Sequence, residues 1–162
     1  MDAANDQTAA MQTLLGRQKA ACLRDGAPSA EVRRNRLDRC IQLLIRFEAQ
    51  ICTALQEDFG VRPREVSGVT DIAGSIGPLK TARDRLETWM RPEKRPTTPR
   101  LLSWLGASAE VRFQPKGVVG IISPWNFPVN LTFAPLAGVL AAGNRAMIKP
   151  SEYTPRTSDL LR

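Results

Sequence analysis

Between Gly117 and Glu152 the chain reads GVVGIISPWNFPVNLTFAPLAGVLAAGNRAMIKPSE, and few folds accommodate that order. Val118 to Ile122 is a short, largely β-branched apolar run, the pattern of a strand buried on both faces. Ser123-Pro124-Trp125-Asn126-Phe127-Pro128 interrupts it, because each proline lacks a backbone donor and restricts the residue before it. Leu131 to Ala142, with Leu136, Val139 and Leu140 among alanines, suits a helix packed closely on a sheet. Gly143-Asn144 is a helix stop. Ala146-Met147-Ile148 is a second short strand, closed by Pro150. Strand, helix and strand in so few residues form a parallel βαβ crossover.

In a parallel sheet a ligand sits outside the carboxyl ends of the strands. The polar residues of the stretch gather at those ends, with Ser123, Trp125 and Asn126 after the first strand and Lys149, Ser151 and Glu152 after the second. Together they outline a binding crevice. A plainer reading stands beside it, in which Asn126 only helps to start a helix and Lys149 and Glu152 are solvated loop charges. Gly117-Val118-Val119-Gly120 precedes the strand and lacks the G-x-G-x-x-G spacing, so it reads as a structural turn.

Upstream the pattern is helical. Met1 to Asp6 is expected to fray, and Thr8 to Leu23 carries Met11, Leu14, Leu15 and Cys22 at helical spacings, ending at Asp25-Gly26-Ala27-Pro28. Ser29 is a candidate N-cap for one longer helix in which Leu37, Cys40, Ile41, Leu44, Phe47, Ile51 and Leu55 share a face. Cys40 is therefore core packing, and Asp58-Phe59-Gly60 closes the helix. Val66 to Met90 is a third amphipathic helix with Val69, Ile72, Ile76, Leu79, Leu86 and Trp89 as its stripe. Pro78 should kink or split it, and Pro92 ends it.

Arg91 to Gln114 changes character, with Pro92, Pro96 and Pro99 interrupting a basic run before Leu101, Trp104 and Phe113. This is a loop and hairpin outside the helices, and Trp104 either meets a partner or folds back on its own domain. After the second strand, Thr154 as N-cap and Pro155 at the first helical position begin another helix. The sequence reaches Arg162 before that helix completes more than two turns, an unusual place for a domain boundary.

Several function classes are disfavoured. Lys and Arg exceed Asp and Glu by 23 to 16, giving a formal charge of +7. The excess is spread out apart from Arg33, Arg34, Arg36 and Arg39, and it is not interleaved with aromatics, so it reads as a solvated helix face and no nucleic-acid partner is expected. No apolar run is long enough for a membrane span, and acidic Asp2 and Asp6 do not belong in a secretory signal. Three cysteines without metal-ligand spacing fit a reduced, cytoplasmic protein with no metal site. The absence of histidine removes Ser-His-Asp and Cys-His catalysis.

The wording Gly-Ile-Ile-Ser-Pro-Trp-Asn-Phe-Pro, then Leu-Ala-Ala-Gly-Asn, Lys-Pro-Ser-Glu and Thr-Pro, resembles the aldehyde dehydrogenase superfamily. Pro28-Ser29, Arg36-Leu37-Asp38-Arg39, Asp58-Phe59-Gly60, Asp71-Ile72 and Trp89-Met90-Arg91-Pro92 are similar to its coniferyl aldehyde branch. The resemblance covers the chain from about Leu14 to Arg162. It implies an α/β, Rossmann-type aldehyde dehydrogenase fold in truncated form. Its expected parts are an amino-terminal helical region (1–91), an arm hairpin (92–116) and the start of an NAD(P)-binding domain (117–162).

The resemblance also implies a site. Asn126 would donate its amide to the oxyanion of the adduct, a role suited to a neutral donor fixed between two prolines and a tryptophan. The Ile122 backbone, Ser123, Pro124 and Trp125 would form a wall beside the cofactor, with Lys149, Ser151 and Glu152 at the adenosine ribose. NAD is the expected cofactor, NADP a possible one, and an aromatic aldehyde such as coniferyl aldehyde the substrate. A homodimer bridged by the arm is expected of the full-length protein. In the family the nucleophilic cysteine, the glutamate base and the cofactor glycine motif lie farther downstream. The chain is thus expected to be inactive alone, and a second reading makes it a non-catalytic fragment acting through subunit association.

Overall fold

A computed structural model of the chain describes residues 2–162, with side chains from Asp6 onward. Helix α1 spans Asp2–Asp25. The frayed start expected at 1–6 is helical from Asp2, and Met1 lies outside the described residues. Ser29 caps α2 (Ala30–Arg46) as its spacing predicts, Oγ accepting from the Val32 amide at 3.3 Å. Helix α3 (Glu48–Phe59) stops at Gly60, whose φ of 72° few other residues adopt without strain.

The single helix expected from Ser29 to Phe59 is therefore two, broken at Phe47 with φ −104° and ψ 13°. No proline or glycine causes the break. A straight helix of that length would run about 45 Å, longer than a small domain is wide. The bend lets α2 pack against one set of helices and α3 against another, while Leu37, Ile41, Leu44, Ile51 and Leu55 all remain buried.

A short α4 (Arg64–Ser67) leads through a widened π turn, Gly68–Ala73, into α5 (Gly74–Trp89). Of the kink or split expected at Pro78, the split does not occur, since α5 runs through it. The irregularity lies before it, in the π turn, whose extra residue rotates the helical face. Ile72, Leu79 and Leu86 are buried as expected, whereas Val69 and Trp89 are exposed, Val69 lying on the far side of that rotation and Trp89 at the end of α5. At Gly74 a Cβ would meet the Asn130 side-chain amide, which donates to the Thr70 carbonyl at 2.7 Å, so a larger residue there would have to displace that hydrogen bond.

Strands β1 (Glu93–Arg95) and β2 (Ala109–Val111) form the expected antiparallel hairpin, with Glu93 opposite Val111. A short α6 (Leu101–Trp104) lies at its tip. Trp104 is 88% exposed and so does not fold back on its own domain.

The βαβ unit is β3 (Val118–Ile122), α7 (Asn130–Ala141) and β4 (Arg145–Lys149), its strands parallel from Val118 opposite Arg145 to Ile122 opposite Lys149. Helix α7 packs on α2 and α5. Of β3 only Ile121 is buried; burial on both faces is not observed, and Ile122 at the carboxyl end is 82% exposed. One continuous core joins Leu37, Leu55, Leu79 and Leu86 of the helices to Ile121, Phe133 and Leu136 of the βαβ unit.

Helix α8 (Pro155–Leu160) starts with Pro155 as predicted, but Thr154 does not cap it and its buried hydroxyl has no partner among the described residues. Asp58 of α3 takes that role. Its carboxylate accepts from the amides of Arg156 (2.9 Å) and Thr157 (2.8 Å) and from Thr157 Oγ1 (2.7 Å). Removing a helix cap costs about 0.5–2 kcal/mol. Asp58→Ala is therefore expected to lower the urea midpoint of unfolding by that equivalent at unchanged slope. An unshifted midpoint would show that Asp58 does not hold α8.

Candidate active site

The two strand ends of the βαβ unit lie side by side. Ile122 is opposite Lys149 in the ladder, and the Ser123 amide extends it by donating to the Lys149 carbonyl at 3.0 Å. The loops 123–129 and 150–154 thus leave the sheet together, as the crevice reading requires. Their side chains divide into two groups.

Ser123 is buried, its Oγ 2.6 Å from Thr132 Oγ1. Thr132 gives its own proton to the Pro128 carbonyl at 2.6 Å, so Ser123 is the donor. Ser151 is also buried. Its Oγ accepts from the Tyr153 amide at 3.2 Å and its carbonyl from Ser158 Oγ at 2.7 Å. Both serines shape the loops from within. Pro124, Trp125, Asn126, Lys149 and Glu152 are exposed. The Asn126 side-chain amide makes no hydrogen bond to the described residues, which leaves its N–H groups available to a ligand.

The backbone beneath Asn126 is held firmly. Arg62 Nη2 donates to the Asn126 carbonyl at 2.6 Å, and the guanidinium lies 3.9 Å from the Phe59 ring centre and 5.1 Å from that of Phe127. Trp125 leans on the same Phe59, ring centres 6.4 Å apart and planes tilted by 42°. Arg62 Nη1 reaches the fully buried Asp71 at 3.3 Å. Asp71 in turn accepts from the amides of Val129 (3.1 Å) and Asn130 (3.3 Å) at the start of α7. Burial pushes the Asp71 carboxyl up from the ordinary aspartate range; the Asn130, Thr70 and Val129 hydrogen bonds and the Arg62 charge oppose that rise.

Sequence reasoning missed Arg62 altogether and carried Asp71 only as part of a resemblance. A signal existed for Asp71, a lone carboxylate beside Ile72 in an apolar stripe, which must find buried donors. None existed for Arg62, whose near partners Phe59 and Asp71 show no local pattern with it and whose other partners, Asn126 and Phe127, lie more than sixty positions away.

Lys149 Nζ and Glu152 Oε2 form an exposed ion pair. The hydrogen bond from Lys149 is the main reason that the Glu152 carboxyl titrates below the usual range. One carboxylate acceptor and one ammonium donor at the carboxyl end of a parallel strand suit a sugar diol. A nucleophile is not at hand. Burial pushes up the thiols of Cys40 and Cys52, so neither is poised as a thiolate. Among the described residues no three acidic or thiol side chains gather in a metal-binding group.

The sequence model of the aldehyde dehydrogenase family matches residues 3–162. A probable coniferyl aldehyde dehydrogenase of Caulobacter vibrioides is 66% identical over 154 residues, covering 95% of this chain and 32% of its own length. A coniferyl aldehyde dehydrogenase of a Pseudomonas species is 52% identical over 147 residues, covering 91% and 30%. Among solved structures, the substrate-bound AldH of Staphylococcus aureus superposes with a TM-score of 0.84 at 29% identity, covering 93% of this chain and 32% of its own. The chain spans about a third of the length of the curated relatives it matches.

The Lys149–Glu152 pair has a direct test. Lys149→Gln is expected to return the Glu152 carboxyl toward the ordinary glutamate range, read from its side-chain carbon resonance across pH. Because the pair depresses this pKa, its stabilising effect is full above the ordinary carboxylate range and fades as pH falls through the depressed value. An unchanged Glu152 titration in the variant would show that the two side chains are not paired in solution.

Proposed function

The chain belongs to the aldehyde dehydrogenase family, and on that premise we propose that it is the amino-terminal third of an enzyme oxidising an aromatic aldehyde, of the coniferyl aldehyde class, to its carboxylic acid with NAD. The aldehyde class follows the names of the relatives in Caulobacter and Pseudomonas. The observation that carries the reading is Asn126, whose side-chain amide is exposed and unbonded while its backbone carbonyl is gripped by Arg62.

The role is electrostatic. As a nucleophile adds to the aldehyde carbon, negative charge develops on the aldehyde oxygen, and the Asn126 N–H groups stabilise that oxygen. A donor already fixed in place needs little reorganisation when the charge appears, which makes it worth far more than a solvent donor. The nucleophilic thiolate and the base belong to the part of the enzyme outside this chain. Ile122 and Trp125, exposed at the carboxyl end of β3, and Pro124 between them form the wall beside the nicotinamide cofactor, Ser123 supporting that wall from behind.

The family uses NAD(P), which when bound takes up the hydride released in aldehyde oxidation. Glu152 offers a carboxylate acceptor to a ribose hydroxyl and Lys149 a donor, with Ser151 holding their turn. A carboxylate there repels a 2′-phosphate, like charge against like, hence the preference for NAD over NADP. The helical region 1–91, the arm 92–116 and the cofactor-domain start 117–162 are part of the same reading. So are a cytoplasmic location and a homodimer, for which the exposed Leu101, Trp104 and Leu105 of the arm are the docking residues. Those same residues favour a second reading, a non-catalytic chain acting only through subunit association.

One experiment separates the two readings. The 162-residue chain alone, given NAD and coniferyl aldehyde, is expected to form no reduced cofactor. The Caulobacter relative with its matching segment replaced by this chain is expected to turn over, and Asn126→Ala in that chimera to lower kcat by about 10²–10³ with NAD affinity unchanged. A chimera that assembles but is inactive favours the second reading; an unchanged kcat in the variant removes the oxyanion role.

Cofactor choice is tested separately. Glu152→Gln in the chimera is expected to shift the kcat/KM ratio toward NADP. If the ratio stays put, Glu152 does not read the ribose.

A further inference from the structure

We infer that Arg62 is a positioning residue for catalysis, fixing the backbone of Asn126 so that its amide meets the aldehyde oxygen. The inference rests on the oxyanion role proposed for Asn126 and adds the residue on which that role depends.

The geometry is specific to this side chain. One guanidinium reaches two elements at once, donating from Nη2 to the Asn126 carbonyl at 2.6 Å and from Nη1 to the Asp71 carboxylate at 3.3 Å. Its plane is held against Phe59 at 3.9 Å and near Phe127 at 5.1 Å. The residues on both sides of Asn126 are thereby tied to the same cluster, Phe127 under the guanidinium and Trp125 on Phe59. Only the Asn126 side chain is left out of it. A planar fork with fixed donor directions can do this; a lysine, a single flexible point charge, can hold one partner but not stack and bridge together.

Proline on either side of the loop restricts the backbone but does not hold it to the rest of the protein. Pro128 and Val129 are anchored through Asp71 and Thr132, and Ser123 through Lys149 and Thr132. Between these anchors, the carbonyl of Asn126 is bonded by Arg62 alone among the described residues. Loss of Arg62 therefore frees the one peptide whose orientation sets the amide.

The test uses the active chimera and reads kcat against KM. Arg62→Ala is expected to lower kcat by about 10- to 100-fold, the scale of a misplacement on the order of an ångström, with KM for the aldehyde within twofold. In an Asn126→Ala background the same substitution is expected to cost little, because residues acting through one group are not additive. Arg62→Lys should restore part of kcat. Where the alanine variant fails to fold, Arg62→Lys carries the test, with a smaller loss that again disappears in the Asn126→Ala background. Equal losses in both backgrounds, or a wild-type kcat in the single variant, overturn the inference while leaving the oxyanion role in place. A kcat untouched by Asn126→Ala alone overturns the oxyanion role and this inference with it.

Discussion

A carboxylate with no exposed surface, Asp71, is the constraint around which the crevice is arranged. Taking an ion out of water is costly, and the attraction of a single partner seldom offsets that cost unless the remaining lone pairs are also satisfied. Here they are. Two backbone amides of α7, Thr70 and Arg62 surround the group. The amides are among the first of the helix, which have no partner inside it, and they carry the positive end of its dipole. Asp71 thus ties the π turn of the helical region to the start of the crossover helix. The loop bearing Asn126 spans what remains between that helix and β3.

The other end of α7 is held with the opposite sign. Arg33, 5% exposed, donates from Nη1 to the Ala141 carbonyl at 3.0 Å and from Nε to the Pro28 carbonyl at 2.9 Å. A cation among the last carbonyls of a helix is favourable for the same reason that an anion is at its start. The approach is close enough that a Cβ on Gly143 would lie 2.7 Å from the guanidinium carbon, and Gly143 has a φ of 83° besides. The turn favours glycine there, and a larger residue would also have to push the arginine off its carbonyl partners. With Asp71 at one end and Arg33 at the other, the helix between the strands is fixed along its axis, and so are the loops at the sheet's carboxyl edge.

The parts legible in sequence are those set by short-range pattern. Val118–Ile122, the helix after it and Arg145–Lys149 follow from apolar runs punctuated by proline and glycine, and the Ser29 cap from its place before an apolar period. What escaped the reading depends on distant groups. The break at Phe47 is imposed by two different packing surfaces, and the π turn by a carboxylate that must reach α7. Thr154 is the plainest case. Its residue type and position are those of a cap, but Asp58, nearly a hundred positions away, reaches the α8 amides first. The residues named from the sequence do lie together on the loops at the two strand ends, yet no local pattern reveals that Ser123 and Ser151 turn inward while Asn126 and Glu152 face out.

That division of labour bears on how easily a ligand enters. Buried hydrogen bonds hold Ser123 and Ser151, and breaking one leaves a polar group unpaired in the interior. The outward residues carry no such penalty. The Asn126 side chain has no hydrogen bond to give up among the described residues, and the Lys149–Glu152 pair is exposed, where an ion pair contributes little. A hydroxyl competing for the Glu152 carboxylate, or for the Lys149 ammonium, has only a weak interaction to displace. The crevice is therefore stiff in its backbone and loosely committed in its side chains. Stiffness suits the oxyanion role proposed for Asn126, because reorganisation during reaction is what weakens such donors. Loose commitment suits the cofactor contacts proposed for Lys149 and Glu152.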